Sequence, residues 1–530
     1  MYINISYFKK YLPYTKFFLI LFTFWLSVNT GSKYIGFFLS GEYISFSSDY
    51  IIVLNEYYFY HVINLIRSLL PYLFIIYLLF TQKKFIKNFI LNLDPVLKII
   101  MIYGLLQLTG LFYYGENFEQ HYWVVCLFSV ILFYQFVYNK NDEKLIKYIF
   151  FLNIIAIFII FTLFTFLAFK KNISEAVILY DSNVFTIIFM NEEIPRSGGL
   201  SRMGLILFIF LNSILFSKMF ANRTNFIIFF LNLLLLSIIF MLQSRTTILA
   251  LIIIFVFINF IYKFQNFRAR FIYNFFLILI PIFLFSTYPI LKKIIIKNEI
   301  ENINIKELKK IDNQKSRVEF ENLLKKKKKF VEEDKKIYLR SVELKNENLN
   351  LIDNLANLSN NRIDAWNFLI QIFFTNKLND SISEKLKRDY DMQAFYLPTK
   401  INFLTGYGPQ ADRKFMTNKA KVNMSEKVQG PFGWHASNGY VYSLICSGII
   451  GLLLFIILNI IILFKIYKII LYKSGSSFNS NLFLSSAVFC LLFLQLRVFL
   501  ENSFSVFGVD LIFLLSAYLI IQKEYRKLNI

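Results

Sequence analysis

Apolar residues run along this chain in long continuous blocks separated by short polar breaks, not in strict alternation. Each block is roughly 18 to 25 residues, the length a helix needs to cross the hydrocarbon core of a bilayer. Lipid offers the backbone no hydrogen-bond partner, so a spanning segment is a helix or a strand of a closed barrel, and continuous apolar runs select the helix. The pattern predicts spans at about residues 12–30, 60–80, 95–114, 121–138, 147–169, 203–220, 225–243, 246–264, 271–290, 439–464, 482–500 and 504–521. That makes about twelve, and the predicted fold class is an all-α polytopic membrane protein.

The polar breaks orient the spans. Lys9, Lys10 and Lys16 precede the first, and Lys83, Lys84 and Lys87 follow the second. The alternation continues through Lys144 and Lys147, Lys218 and Arg223, Lys263, Arg268 and Arg270, Lys465 and Lys468, and Lys523, Arg526 and Lys527. All of these fall on one side, which the basic bias of inner loops makes the cytoplasm, with both termini there. The other side receives Glu42, Asp49 and Glu56, the loop over 170–200, and everything in 292–434. The domain plan is therefore residues 1–290 for spans one to nine, 291–360 for a charged insertion, 361–438 for an extracytoplasmic loop, and 439–530 for the last three spans.

Within the large loop, residues 297–360 are dense in Lys, Glu, Asn and Leu, carry five consecutive lysines at Lys325–Lys329, and read as solvated spacer helix. From Asn361 the composition changes. Arg362-Ile-Asp-Ala-Trp366 opens an apolar helical stretch to Phe374, Leu404-Thr-Gly-Tyr-Gly-Pro409 follows, and the loop ends at Trp434-His435-Ala-Ser-Asn438. Aromatics, glycines and isolated charges there predict a folded lid over the membrane surface.

Composition changes this picture little. The chain has 530 residues, 57% of them hydrophobic, more apolar content than one soluble core absorbs. A net charge of +23 invites a nucleic-acid reading, but in a membrane protein such charge marks cytoplasmic loops and headgroup contact, so membrane lipids and not nucleic acid are the expected partners. Cys126, Cys446 and Cys490 lie inside apolar runs without metal-ligand spacing and read as small core residues. The first apolar run lacks a small-residue cleavage site and is expected to serve as its own insertion signal.

The candidate chemistry gathers on the side of the large loop. Of three histidines, His61, His121 and His435, only His435 stands where a long polar segment meets a helix start, which makes it the leading acid–base candidate near neutral pH. Arg196 and Arg202 flank Ser-Gly-Gly-Leu before the sixth span, Arg245 lies in the short turn between the seventh and eighth, and Arg497 is near the outer end of the eleventh. Arg67 sits deeper, in the second span. An arginine at mid-bilayer costs roughly 2.5 to 3.5 kcal/mol even on lenient insertion scales, so such placement is informative. Singly each is a snorkelling or helix-end residue; together they call for an anionic partner, and a lipid-linked phosphate or pyrophosphate fits the planar guanidinium fork. Glu501 and Asp510 are available as counter-ions, which leaves a structural ion network as the alternative. Asp389-Tyr-Asp391 has a metal-binding spacing but stands alone in a charged loop, and no Gly-rich Lys-Ser/Thr phosphate loop is present. Gly448 and Gly451 read as close-packing positions against a neighbouring helix.

Taken in order, Arg196 with Gly199, Ser244-Arg245, Arg362 with Trp366, Gly406 with Gly408, His435 with Asn438, and Leu444 with Gly448 and Gly451 resemble the O-antigen ligase and O-antigen polymerase family over about residues 190–520. The resemblance implies a C-type glycosyltransferase-like membrane enzyme of the bacterial inner membrane. Such an enzyme moves a glycan from undecaprenyl pyrophosphate to an acceptor at the periplasmic face, with no metal or nucleotide cofactor. Carried onto this chain, it implies Arg196, Arg202 and Arg245 as holders of the pyrophosphate that stabilise it as leaving group, His435 as the base on the acceptor hydroxyl, and Asn438 as the holder of the local turn or of an acceptor group. Arg362, Trp366, Tyr440 and Arg497 are accessory candidates. The chain departs from the ligases at Ser437, where they usually carry a second histidine, and in the length of its insertion.

The preferred reading is a ligase with lipid A core as acceptor; a polymerase with a second lipid-linked glycan as acceptor is the alternative. A polysaccharide flippase or other transporter also needs many spans and a basic cavity. Transporters place charge at mid-membrane in broken helices, whereas these charges gather at the outer surface beside a large loop.

Overall fold

The computed structural model describes residues 17–25, 58–81, 89, 92–110, 118–178, 198–217, 222–241, 245–261, 362–375, 402–416, 436–473, 478 and 481–528. Residues 17–25 are helical. The helices that follow are α1 (Tyr58–Thr81), α2 (Pro95–Leu108), α3 (Phe118–Lys140), α4 (Glu143–Ile178), α5 (Gly198–Phe216), α6 (Asn222–Met241), α7 (Arg245–Ile261), α8 (Arg362–Thr375), α9 (Ala411–Phe415), α10 (Gly439–Lys473), α11 (Leu482–Val498) and α12 (Val509–Lys527). Among the described residues there is no strand, as the continuous apolar runs required. The ninth predicted span, the charged insertion and Asp389-Tyr-Asp391 lie outside the described residues.

Among the described residues, two stretches are long and apolar enough to cross a membrane by length and composition, Glu143–Leu163 within α4 and Gly439–Lys473. α10 shows how such a helix is used. Phe455, Leu458, Ile462, Ile466 and Ile469 are buried, whereas Leu453, Ile457, Ile460, Phe464 and Leu471 are exposed, so one apolar face packs inward and the other faces out. A helix apolar all round is what lipid selects.

The chain forms two compact units, residues 1–156 with 359–530, and residues 157–358. In the first, α2 starts cleanly: Asp94 accepts the amide of Val96 at 3.0 Å and Pro95 takes the first helical position, where its missing N–H costs nothing. α2 packs on α3 and α10, and α12 lies beside α10 and α11 with nearly every side chain buried. Where lipid rather than water surrounds a fold, packing and polar pairs specify it more than apolar transfer does. Phe24, Phe74 and Phe133 accordingly meet edge to face, with Phe24 at 5.4 and 5.5 Å from the other two. One buried polar chain links three helices as well: Lys465 donates to Tyr518 and to Gln522, both at 2.6 Å, and the Tyr518 hydroxyl donates to Asp94 at 2.8 Å.

Several basic flanks meet at one end of this unit. Lys527 bridges Glu143 and Glu524, both at 2.8 Å, Lys473 also pairs with Glu524, and Lys523 reaches the Asn141 carbonyl at 3.3 Å. The flanks of α4, α10 and α12 therefore share a side, as their basic clusters predicted. At the opposite end the start of α10, the end of α11, α8 and residues 402–416 come together.

In the second unit α5 packs on α6 and α7. Asn212 of α5 donates to Asn232 of α6 at 3.4 Å, and both are buried. Gly204 lets α5 approach closely, since a Cβ there would sit 3.0 Å from both Ile239 and Phe161.

Candidate functional site

The turn before α10 is held from all sides. Asn438 is its N-cap: the side-chain oxygen accepts the amides of Tyr440 at 2.9 Å and Val441 at 3.0 Å. The same side chain donates to the Phe499 carbonyl at 2.9 Å, and its backbone amide donates to Asn502 at 3.1 Å. The start of α10 is thus tied to the connection between α11 and α12. Ser437 takes φ 51°, a left-handed conformation that turns the chain sharply into the helix.

Ala436 is fully buried and both of its backbone groups are taken. Its amide donates to the Asp412 carboxylate at 2.7 Å, and its carbonyl accepts from the Trp366 indole at 2.8 Å. Asp412 comes from α9, and its second donor is Asn502 at 3.5 Å. Trp366 comes from α8, whose Ala365, Phe368, Leu369, Ile372 and Phe373 follow helical spacing and pack with Tyr407, Phe415, Tyr442 and Ile445 into one core. Residues of α8 and of 407–416 therefore pack on the first turns of α10.

A second anchor is a break in α10. Gly448 has φ 69° and ψ −169° inside the helix, and residues 403–408 occupy the gap. Tyr407 and Gly408 donate to the carbonyls of Ile445 and Cys446 at 2.9 and 3.0 Å. Ile449 and Ile450 donate in turn to the carbonyls of Phe403 and Leu404 at 2.8 and 3.3 Å. A loop thus satisfies backbone groups that a helix break frees, as a membrane setting demands. Gly406 and Gly448 are needed here because both have positive φ and neither leaves room for a Cβ: one on Gly448 would lie 2.3 Å from the Leu404 oxygen. The reading of Gly448 and Gly451 as contacts with a neighbouring helix is corrected accordingly. The atoms nearest Gly448 belong to this loop, and those nearest Gly451 belong to Ser447 of its own helix.

The accessory candidates are also gathered here. Arg362 donates to the Leu500 carbonyl at 2.6 Å and to Glu501 at 3.0 Å. Arg497 pairs with the fully buried Asp510, which also accepts from Ser503 at 2.9 Å. Both guanidiniums thus have the counter-ions that the sequence offered. Tyr440 meets Phe455 edge to face at 5.5 Å and Phe499 in a tilted contact at 5.0 Å.

Arg202 and Arg245 belong to the other unit. Arg202 is half-buried near the start of α5, and Arg245 is the first residue of α7. A helix start carries partial positive charge, so an arginine there is disfavoured by a few tenths of a kcal/mol or more unless an anion joins it. His435 and Arg196 lie outside the described residues. Asp412 and Asn502 were not singled out from the sequence; the nearest signal for Asp412 was its place three residues after Gly-Tyr-Gly-Pro409.

These features define an all-helical protein with membrane-type apolar helices and a polar, tightly tied helix start beneath a folded loop. Residues 230–456 match the family model described as O-antigen ligase. The match takes in α7, α8, α9 and the first turns of α10. No match was found among curated proteins or among solved structures.

Proposed function

We propose that this chain is an O-antigen ligase-like glycosyltransferase that moves a glycan from undecaprenyl pyrophosphate to an acceptor hydroxyl, the lipid A core, at the periplasmic face of the bacterial inner membrane. The acceptor oxygen forms the new bond to the sugar's anomeric carbon as the bond to the pyrophosphate breaks. His435 takes the hydroxyl proton, and Arg196, Arg202 and Arg245 meet the charge that develops on the leaving pyrophosphate. The observation that supports this reading most is the double anchoring of Ala436 within the family-matched stretch. Ala436, next in sequence to the candidate base, is held by the buried Asp412 and the partly buried Trp366.

Gel analysis of surface glycans from a strain lacking the gene tests the reading. Free lipid A core with accumulated long carrier-linked polymer identifies a ligase. Core bearing a single repeat identifies a polymerase, and unchanged surface glycans overturn both.

A further inference from the structure

We propose that Phe403, Leu404 and the end of α8 rest in the hydrocarbon edge of the leaflet opposite the basic cluster, so that this loop is a lipid-contacting surface and α10 enters the membrane at its break. α10 has 35 residues and is about 52 Å long, against roughly 30 Å of hydrocarbon, so only about 20 of its residues can be immersed. The basic end sets which ones. Lys465 is buried and paired, and the first partly exposed charge on α10 is Lys468, beside the exposed Tyr467 and Tyr472. About 20 residues counted back from Lys468 end near Gly448 and Ile449. α2 gives a matching depth. At one end Asp94 accepts from Tyr518, the partner of Lys465, and at the other Gly110 lies against Gly408. From Asp94 to Gly110 the chain rises about 24 Å at helical pitch. Residues 402–408 are therefore level with the far edge of the hydrocarbon.

Their surface suits that place. Leu404 is 62% exposed, and Phe403 and Phe374 are exposed as well, with their rings 6.0 Å apart. The Leu404 carbonyl accepts from the exposed Ile450 at 3.3 Å, and Leu453, Ile457 and Ile460 continue the outward face along α10. Such a strip is a liability in water, whereas a bilayer edge favours aromatic and aliphatic side chains. It passes from α10 to the loop through the Ile450–Leu404 contact, so lipid chains that cover the one cover the other. The tenth span then runs over about 449–468 and not 439–464. The Asn438 turn stands about 15 Å further along α10, outside the hydrocarbon.

The test is a nitroxide attached at Leu404→Cys in the full chain, reconstituted in phosphatidylethanolamine–phosphatidylglycerol vesicles, with its relaxation by oxygen and by a water-soluble nickel chelate measured. Cys126, Cys446 and Cys490 are buried, so the label goes to the introduced thiol. Ile457→Cys, on the exposed face at mid-span, and Lys144→Cys, exposed beside the basic cluster, give the two references. The oxygen-to-nickel ratio at Leu404 is expected below that at Ile457 and at least about fivefold above that at Lys144, because the hydrocarbon core admits oxygen and excludes the chelate. If Leu404→Cys fails to accumulate, Phe374→Cys decides by the same criterion, its native side chain being 47% exposed. A ratio at the level of Lys144 shows water at the loop and overturns the proposal. Relaxation by neither reagent shows that protein covers the patch, and overturns it as well.

Discussion

Arg362 and Glu501 form an ion pair at 3.0 Å while the other guanidinium nitrogen holds the Leu500 carbonyl at 2.6 Å. The first residue of α8 is therefore clamped to the end of α11 by a fork that uses both arms. Lysine supplies one point charge and cannot do both. Arg362→Lys is expected to destabilise the loop by about 1 to 2 kcal/mol, seen as faster proteolysis in detergent, with the donor KM unchanged. A raised donor KM at normal stability would instead place Arg362 on the substrate.

The break in α10 leads to a second expectation. At Gly448 an added Cβ would meet the Leu404 oxygen at 2.3 Å, and φ 69° is itself unfavourable for alanine. Gly448→Ala should cost roughly 1 to 3 kcal/mol and unseat residues 403–408, measured as a lower melting temperature in detergent. Gly451→Ala probes the neighbouring turn, where the nearest atom is the Ser447 Cβ of the same helix. An unchanged melting temperature for Gly448→Ala would contradict this account of the break.

Asn438 makes a cap with its oxygen and a tie to Phe499 with its nitrogen, so two substitutions should separate the roles. Asn438→Ser keeps a capping oxygen and loses the tie. Asn438→Asp keeps the cap but turns a second oxygen toward the Phe499 carbonyl, which is repulsive. Asn438→Asp is expected to be the less stable of the two, by about 1 kcal/mol or more, in thermal unfolding. The reverse order would show that the tie to Phe499 carries little.

At the opposite end, burial pushes the Glu524 carboxyl upward, but bonds from Lys473 and Lys527 outweigh this and hold it below the usual carboxylate range. A depressed carboxyl contributes stability above its unfolded value and loses it as pH falls through the folded value. The tie between α10 and α12 should therefore stay closed at neutral pH and open only in acid below the ordinary carboxylate range. Hydrogen exchange at the end of α12 measures this, and Glu524→Gln should weaken the acid dependence, leaving the part carried by the Lys527–Glu143 pair. Opening near neutral pH would contradict the assignment.

The sequence made the helices legible because long apolar runs carry their own signal. α6, α7 and α11 begin and end within a few residues of the predicted spans. α12 starts at Val509 instead of 504 because Ser503–Ser505 form a short 3-10 turn, and the adjacent Asn502 holds Asn438 and Asp412. The Gly-x-Gly at 406–408 was legible as a motif, but its use was not. Hydropathy runs unbroken through Gly448, and only the distant loop that fills the gap reveals the break. Asp412 escaped notice for the same reason: its meaning lies in an amide 24 positions away. Its spacing from its neighbours carries none of it.

Transfer in vitro tests the central claim most directly. Membranes carrying wild-type protein or His435→Ala, at equal protein levels, are given undecaprenyl pyrophosphate-linked glycan and lipid A core, and the joined product is measured. Transfer by the wild type and at least a hundredfold less by His435→Ala is the result this account predicts, about 3 kcal/mol of lost catalysis. Equal transfer by both, or none by the wild type, would contradict it.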